Sequence, residues 1–156
     1  MNILQKYAHL LVHYCLELKP GEKLYITTTT LAEPLVREVY REAIRAGAFV
    51  EYHMSFREHN RIFIAEANDA QLDHIYPAYK DMMATFDTYL VIRAPFNARE
   101  DQSNDPKKSS RRQNALFEVN KIYTERISDR SLKRCLCQYP TQSSAQEAGM
   151  SLEEYE

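Results

Sequence analysis

His9 and His13 stand four residues apart in a segment of helical apolar spacing, so both imidazoles fall on one face, where a divalent metal could join them. The pattern His9-Leu-Leu-Val-His13 lacks the glutamate that a zinc peptidase places after its first histidine. Both flank an apolar stripe, and a boundary position shared with solvent accounts for them. His53 and His59 straddle the end of a second strand-like run with Glu58 between them, a placement suited to a ligand site but without a third partner at ligand spacing. Glu100 and Asp101, followed by Asp105, Lys107 and Lys108, could do acid and base work if a pocket moved their pKa values; otherwise they form a solvated loop. Thr27 to Thr30 offer hydroxyls and backbone amides where an anion could rest, but no glycine stands among them. With three glycines in the chain, neither the dinucleotide fingerprint nor the phosphate loop is present, and the threonines read as a strand end that caps a helix. The Gly-x-Ser-x-Gly nucleophile elbow is absent too. No catalytic constellation closes.

The elements that would position these residues follow from the apolar periodicity. Leu4, Tyr7, Ala8, Leu11, Val12, Cys15 and Leu18 make one helical stripe, and Leu35, Val36, Val39, Tyr40, Ala43 and Ile44 make a second that stops at Gly47. Between them Pro20-Gly21 turns the chain into the strand Leu24 to Thr28, so Leu18 to Phe49 reads as strand, loop and helix. Ala48 to Met54 then reads as the second strand, before a short helix from Ile62 to Ala67 that Asn68-Asp69 ends. Leu72, Ile75, Tyr76, Tyr79, Met82, Met83 and Phe86 predict a further helix, in which Pro77 is discordant and should either kink the helix or be confined to a first turn. Thr88 to Ala94 is a near-continuous apolar strand of the kind covered on both faces. Leu116, Val119, Tyr123 and Ile127 mark a helix with Lys107, Lys108, Arg111 and Arg112 near its start, where the helix dipole disfavours cations. Cys135 to Tyr139 is the fourth strand, Thr141 to Ala148 a short helical turn closed by Gly149, and Ser151 with Glu154 a capping box. Long crossovers between strands require parallel pairing, so the expected fold is α/β: a three-layer domain with a mostly parallel sheet of about four strands flanked by helices.

Composition narrows the function classes. The 156 residues are 44% hydrophobic and 27% charged, which suits one soluble domain able to bury a core. Twenty basic against 22 acidic side chains, a net charge of −2, argue against a protein built to hold nucleic acid or an anionic membrane, and one basic cluster does not reverse this. No apolar run approaches the roughly 20 residues that span a bilayer, and the chain opens on an amphipathic helix, so a cytoplasmic protein is expected. Three cysteines, two of them as Cys135-Leu-Cys137, make neither a disulfide framework nor a zinc spacing and read as small core residues in a reducing compartment.

Several segments together carry a family resemblance. Lys6-Tyr-Ala-His-Leu-Leu-Val12, Leu18-Lys-Pro-Gly-Glu-Lys-Leu-Tyr-Ile26, Glu33 to Ala48, Tyr139-Pro-Thr141 and Ala145 to Glu154 resemble, in order and spacing, the N-terminal domain of the thermophilic-type metallo-aminopeptidases, the M29 peptidases that include aminopeptidases S and T. The resemblance implies a cytoplasmic, dimeric exopeptidase that releases N-terminal residues, leucine among them, with two divalent metal ions of the zinc, cobalt or magnesium class. It also implies that the metal ligands lie in a C-terminal catalytic domain beyond Glu156, so no catalytic, cofactor-binding or metal-binding residue is assigned in this chain. On this reading residues 1–140 are the N-terminal α/β domain, and 141–156 are a linker with the start of a helix that continues toward the catalytic domain. The expected partners are that domain, a second subunit and peptide substrates, with no nucleic acid and no membrane, and the piece alone is expected to be inactive. The residues leave two other classes open. One is a standalone flavodoxin-like binding or signalling module with its ligand over Thr27 to Thr30 and the loop from Ala94 to Asp105; the other is a dimerisation module.

Overall fold

Strand β1, Lys23–Thr29, sits at the centre of the sheet because Leu24, Tyr25 and Ile26 are buried in succession, which requires cover on both faces. The computed structural model describes every residue from Met1 to Glu156. With β2 (Phe49–Ser55), β3 (Thr88–Arg93) and β4 (Lys133–Gln138), β1 forms a four-stranded sheet of order β2-β1-β3-β4, parallel at every pairing. The α/β expectation therefore holds. Succession reverses direction between β1 and β3, which makes their carboxyl ends the topological switch point.

Even-numbered residues of the central strands face one helix layer, made of α1 (Ile3–His9), a π-helical turn (Leu10–Cys15) and α2 (Glu33–Arg45). Leu11, Val12, Leu16, Leu35 and Val39 pack there on Leu24, Ile26, Leu90 and Ile92, all essentially solvent-free. The π turn changes which residues reach that core. Leu16 N–H donates to Leu11 C=O at 2.9 Å, a bond spanning five residues, so the helix gains one residue in the turn. Leu16 thereby takes the inward position expected of Cys15, which is exposed. Glu17, at φ 44°, closes the turn.

The opposite face is covered by α5 (Pro77–Thr85) and α7 (Phe117–Ser128), where Met83, Phe86 and Val119 enclose Tyr25, with Tyr79, Tyr89 and Tyr123 around them. Beside them α3 (His59–Glu66) and α4 (Asp69–Asp73) close a small cluster of Ile64, Ala67 and Leu72. Four boundaries add to the expectation or depart from it. α3 ends just before Asn68-Asp69 as expected, and Asn68 also opens α4, because its side chain and that of Gln71 cap one another's backbone N–H groups. Pro77 stands in the first turn of α5, one of the two placements expected of it, and the Leu72 to Phe86 run is split in two there. The basic residues occupy their own helix, α6 (Pro106–Ala115), capped by Asp105 and broken from α7 at Leu116. Finally, Thr27 to Thr29 lie within β1, and only Thr30 leaves it, in a 3-10 turn (Thr30–Ala32). The chain finishes with α8 (Gln142–Glu147), capped by Thr141, and α9 (Leu152–Tyr155), which opens on the expected capping box of Ser151 and Glu154. No helix is long and apolar enough to cross a membrane.

Candidate functional site

At the switch point the threonines face one another's neighbours and not an open cradle. Thr28 Oγ1 donates to Ile92 C=O at 2.8 Å and Thr29 Oγ1 to Ala94 C=O at 2.5 Å, while Thr27 Oγ1 and Tyr89 Oη lie 3.0 Å apart. These hydroxyls stitch β1 to the end of β3. None caps α2, whose first turn is set by Pro34 and Glu33; the expected helix cap is absent because the 3-10 turn puts Ala32, which has no side-chain acceptor, at the N-cap. The cleft left outside, of about 560 Å³, is lined by Thr29, Arg93, Phe96, Asn97, Glu100 and Asp101.

The loops after β2 and β3 bring together residues that the sequence separates by some forty positions. Glu58 has φ 65°, and its backbone N–H donates to Glu100 Oε1 at 2.6 Å. Glu100 is thus a brace for the loop, not a free base, and Asp101 accepts from the Asn104 side chain at 3.1 Å. His59 stacks on Phe56 at 4.9 Å and meets His53 edge-on at 5.6 Å, with Glu58 turned away to pair with Arg61 at 2.8 Å. His53, His59 and Glu58 therefore do not converge on one point. His53 and His59 instead border an aromatic hollow of about 660 Å³ with Tyr25, Tyr79, Tyr89 and Arg112. Burial lowers the His53 pKa, with His59 adding to it, and His59 Nδ1 is buried without a partner. Burial likewise raises the pKa values of Tyr25, Tyr79 and Tyr123. Such a hollow can accept an apolar or aromatic group; it holds no acid-base pair.

Of the α6 cations only Lys107 and Lys108 lie in the first turn, against the dipole; Arg112 stands in the last turn, where a cation is favoured, and three of the four serve other helices. Lys108 Nζ donates to Ala65 C=O and Ala67 C=O at 3.0 and 3.1 Å, at the carbonyl end of α3. Arg112 donates to Leu72 C=O and His74 C=O at the end of α4 and stacks on Phe63, and Arg111 grips Asp73 with two bonds of 2.8 and 2.6 Å. The unfavourable first-turn placement of Lys108 is offset at the carbonyl end of α3, where a positive charge is favoured.

Sequence reasoning missed Glu42. This residue of α2 places Oε2 3.4 Å from His9 Nδ1 and 3.0 Å from His13 Nε2, and the hydrogen bond to His13 foremost holds its carboxyl below the usual range. His9, His13 and Glu42 are the one group of three histidine, cysteine or acidic side chains in the chain whose ligand atoms converge. A paired-metal hydrolytic centre needs two ions roughly 3.5–4 Å apart and ligands for both. Three donor atoms do not fit that requirement, so no hydrolytic step is derived through such a pair in these residues.

A four-stranded, all-parallel sheet with helices on both faces and a reversal of strand succession at β1 and β3 defines a doubly wound α/β domain. The whole of the chain, residues 1–156, matches the family described as thermophilic metalloprotease (M29), and the chain belongs to that family. Wild-type AmpT from Thermus thermophilus is similar in fold, with a TM-score of 0.76 at 22% identity, over 97% of this chain. The chain spans 40% of the length of that structure. Among curated proteins no sequence matches significantly.

Proposed function

We propose that residues 1–156 form the non-catalytic N-terminal domain of a metal-dependent aminopeptidase that releases N-terminal residues, leucine-type among them, from peptides. The observation that carries this reading is the family match over residues 1–156 together with coverage of only 40% of the AmpT chain. Residues 1–140 are the folded domain and 141–156 the lead into a catalytic domain that holds two divalent ions. The three donor atoms of His9, His13 and Glu42 being too few for a metal pair supports placing that pair elsewhere. In the intact enzyme, which we place in the cytoplasm as a homodimer, this domain supplies scaffold and part of the chamber wall around the peptide. The aromatic hollow bordered by Tyr25, His53 and Tyr79 is the surface best suited to such a wall, being concave and apolar with a few polar tips. A standalone ligand-binding module over Thr27 to Thr30 finds less support, since the hydroxyls of Thr27, Thr28 and Thr29 are engaged within the sheet.

The test is direct. The 156-residue chain, assayed on leucyl-p-nitroanilide with zinc, cobalt or magnesium, is expected to show no turnover, and the same chain extended by its natural downstream sequence is expected to show it. Turnover by the short chain would overturn the reading, as would an extended protein inactive on every aminoacyl substrate.

A further inference from the structure

The sequence alone explains His9 and His13 as boundary residues, but the fold sets a carboxylate against both. Glu42 Oε2 lies 3.4 Å from His9 Nδ1 and 3.0 Å from His13 Nε2, and all three ligand atoms fall within 4.8 Å of one another. Metal–ligand bonds of about 2.0–2.1 Å place neighbouring ligand atoms about 2.9–3.4 Å apart, from octahedral to tetrahedral angles. Both Glu42 contacts are already at that separation. The third edge, between the imidazole nitrogens, is within 4.8 Å, with the rings 4.4 Å apart centre to centre and inclined by 45°.

Two features of the fold set this arrangement up. The histidines straddle the point where α1 passes into the π turn, and π-helical turns recur at functional sites. Arg45, one turn along α2, takes the other Glu42 oxygen, Oε1, at 3.3 Å, which leaves Oε2 directed at both imidazoles. That is the role of an outer partner that orients a carboxylate ligand. The histidine side chains are 56% and 40% exposed and that of Glu42 17%, so an ion can enter from solvent and keep water at its remaining positions.

We propose that His9, His13 and Glu42 form a binding site for one divalent transition-metal ion that clips the first helix to α2. Two imidazoles and one carboxylate select borderline ions such as zinc, nickel, copper or cobalt over magnesium and calcium, which favour all-oxygen sites. The ion joins residues 29 and 33 positions apart in sequence, and binding only the folded arrangement, it stabilises the domain. This inference does not rest on the aminopeptidase reading, since it concerns binding and stability of the chain itself.

The experiment titrates the 156-residue chain with zinc, nickel and magnesium by calorimetry, and with cobalt by visible absorption, under reducing conditions. One equivalent of zinc or nickel is expected to bind, magnesium to give no heat, and Tm to rise by about 5–10 °C at roughly 100 times the Kd. His13→Ala and Glu42→Gln, each checked for unchanged circular dichroism, are expected to weaken binding by more than about 100-fold, beyond the loss of an outer partner. Cys15→Ser controls for the exposed thiol and is expected to bind as the parent does. Absence of zinc and nickel binding overturns the proposal. So does binding that survives His13→Ala and Glu42→Gln, or that disappears in Cys15→Ser, which would put the ion on the thiols.

Discussion

Cys15, Cys135 and Cys137 are chemically the same side chain in three environments, and their reactivity should separate accordingly. Cys15 is exposed because the π turn rotates it out of the stripe, whereas the other two are half-buried on β4 against the first core. Burial raises the pKa of Cys135, with the neighbouring Cys15 thiol adding to it, and pushes that of Cys137 up to about 11. Since the thiolate is the reactive species, a disulfide reagent at pH 7.5 is expected to modify Cys15 rapidly and the other two slowly, and all three together in urea. Three equally fast thiols in the native chain, read from the absorbance of the released thiolate, would contradict the structure. The same residue scale shows where sequence reading runs out. The His9 and His13 spacing was visible, but Glu42 lies 29 residues beyond His13 and reaches it only because two helices pack side by side. The basic cluster was visible too, yet its purpose was not, because the carbonyls that Lys108 and Arg112 satisfy belong to other helices.

Helix ends show how much local chemistry fixes and what it leaves open. After α2, Gly47 takes φ 82°, and the N–H groups of Gly47 and Ala48 return to Ile44 and Ala43, a complete C-terminal motif that the glycine announced in the sequence. A Cβ at Gly47 would also stand 3.2 Å from Pro20 Cβ. After α7 the same left-handed position falls to Arg130, at φ 63°, with its N–H bonded to Ile127 C=O. Gly47→Ala is therefore expected to destabilise the chain by about 1–2 kcal/mol, and Arg130→Gly, at an exposed site, to stabilise it by about 0.5–1 kcal/mol. Urea midpoints of the two variants check both signs; a stabilised alanine variant or a destabilised glycine variant would count against the assigned backbone. The strands and their parallel pairing were readable because continuous apolar runs and long crossovers leave few alternatives. The break at Leu116 and the π turn were not, because neither carries a proline or glycine: tertiary packing redirects the chain there, and a one-residue phase change looks like ordinary helix in an apolar pattern.

At the scale of the molecule the two helix layers enclose different chemistry. The first covers the sheet with aliphatic side chains, while the second packs Tyr25, Tyr79, Tyr89 and Tyr123 around Met83, Phe86 and Val119, with Tyr25 stacked on Tyr89 at 5.4 Å. A phenol is neutral when protonated, so burial resists its ionisation. Burial is the foremost cause that raises Tyr25, Tyr79 and Tyr123 above their ordinary value of 10.0, and it pushes Tyr7, across the sheet beside Cys137, up to about 12. In each case the folded pKa exceeds the unfolded one, so the folded chain retains protons that the unfolded chain has lost. The associated stability is complete below pH 10 and falls as pH rises from there through about 12, with Cys137 contributing from about pH 9 to its folded value near 11. Urea midpoints are therefore expected to hold steady from pH 7 to 9 and to drop progressively between pH 10 and 11.5, with tyrosinate absorbance rising in step with unfolding. Tyr25→Phe keeps the ring and the stack, so it is expected to change stability at pH 7 by no more than about 0.5 kcal/mol while making the alkaline fall shallower. A midpoint that stays level to pH 11.5, or a Tyr25→Phe curve parallel to the parent above pH 10, would show that the second layer does not exclude water as the packing of these rings requires.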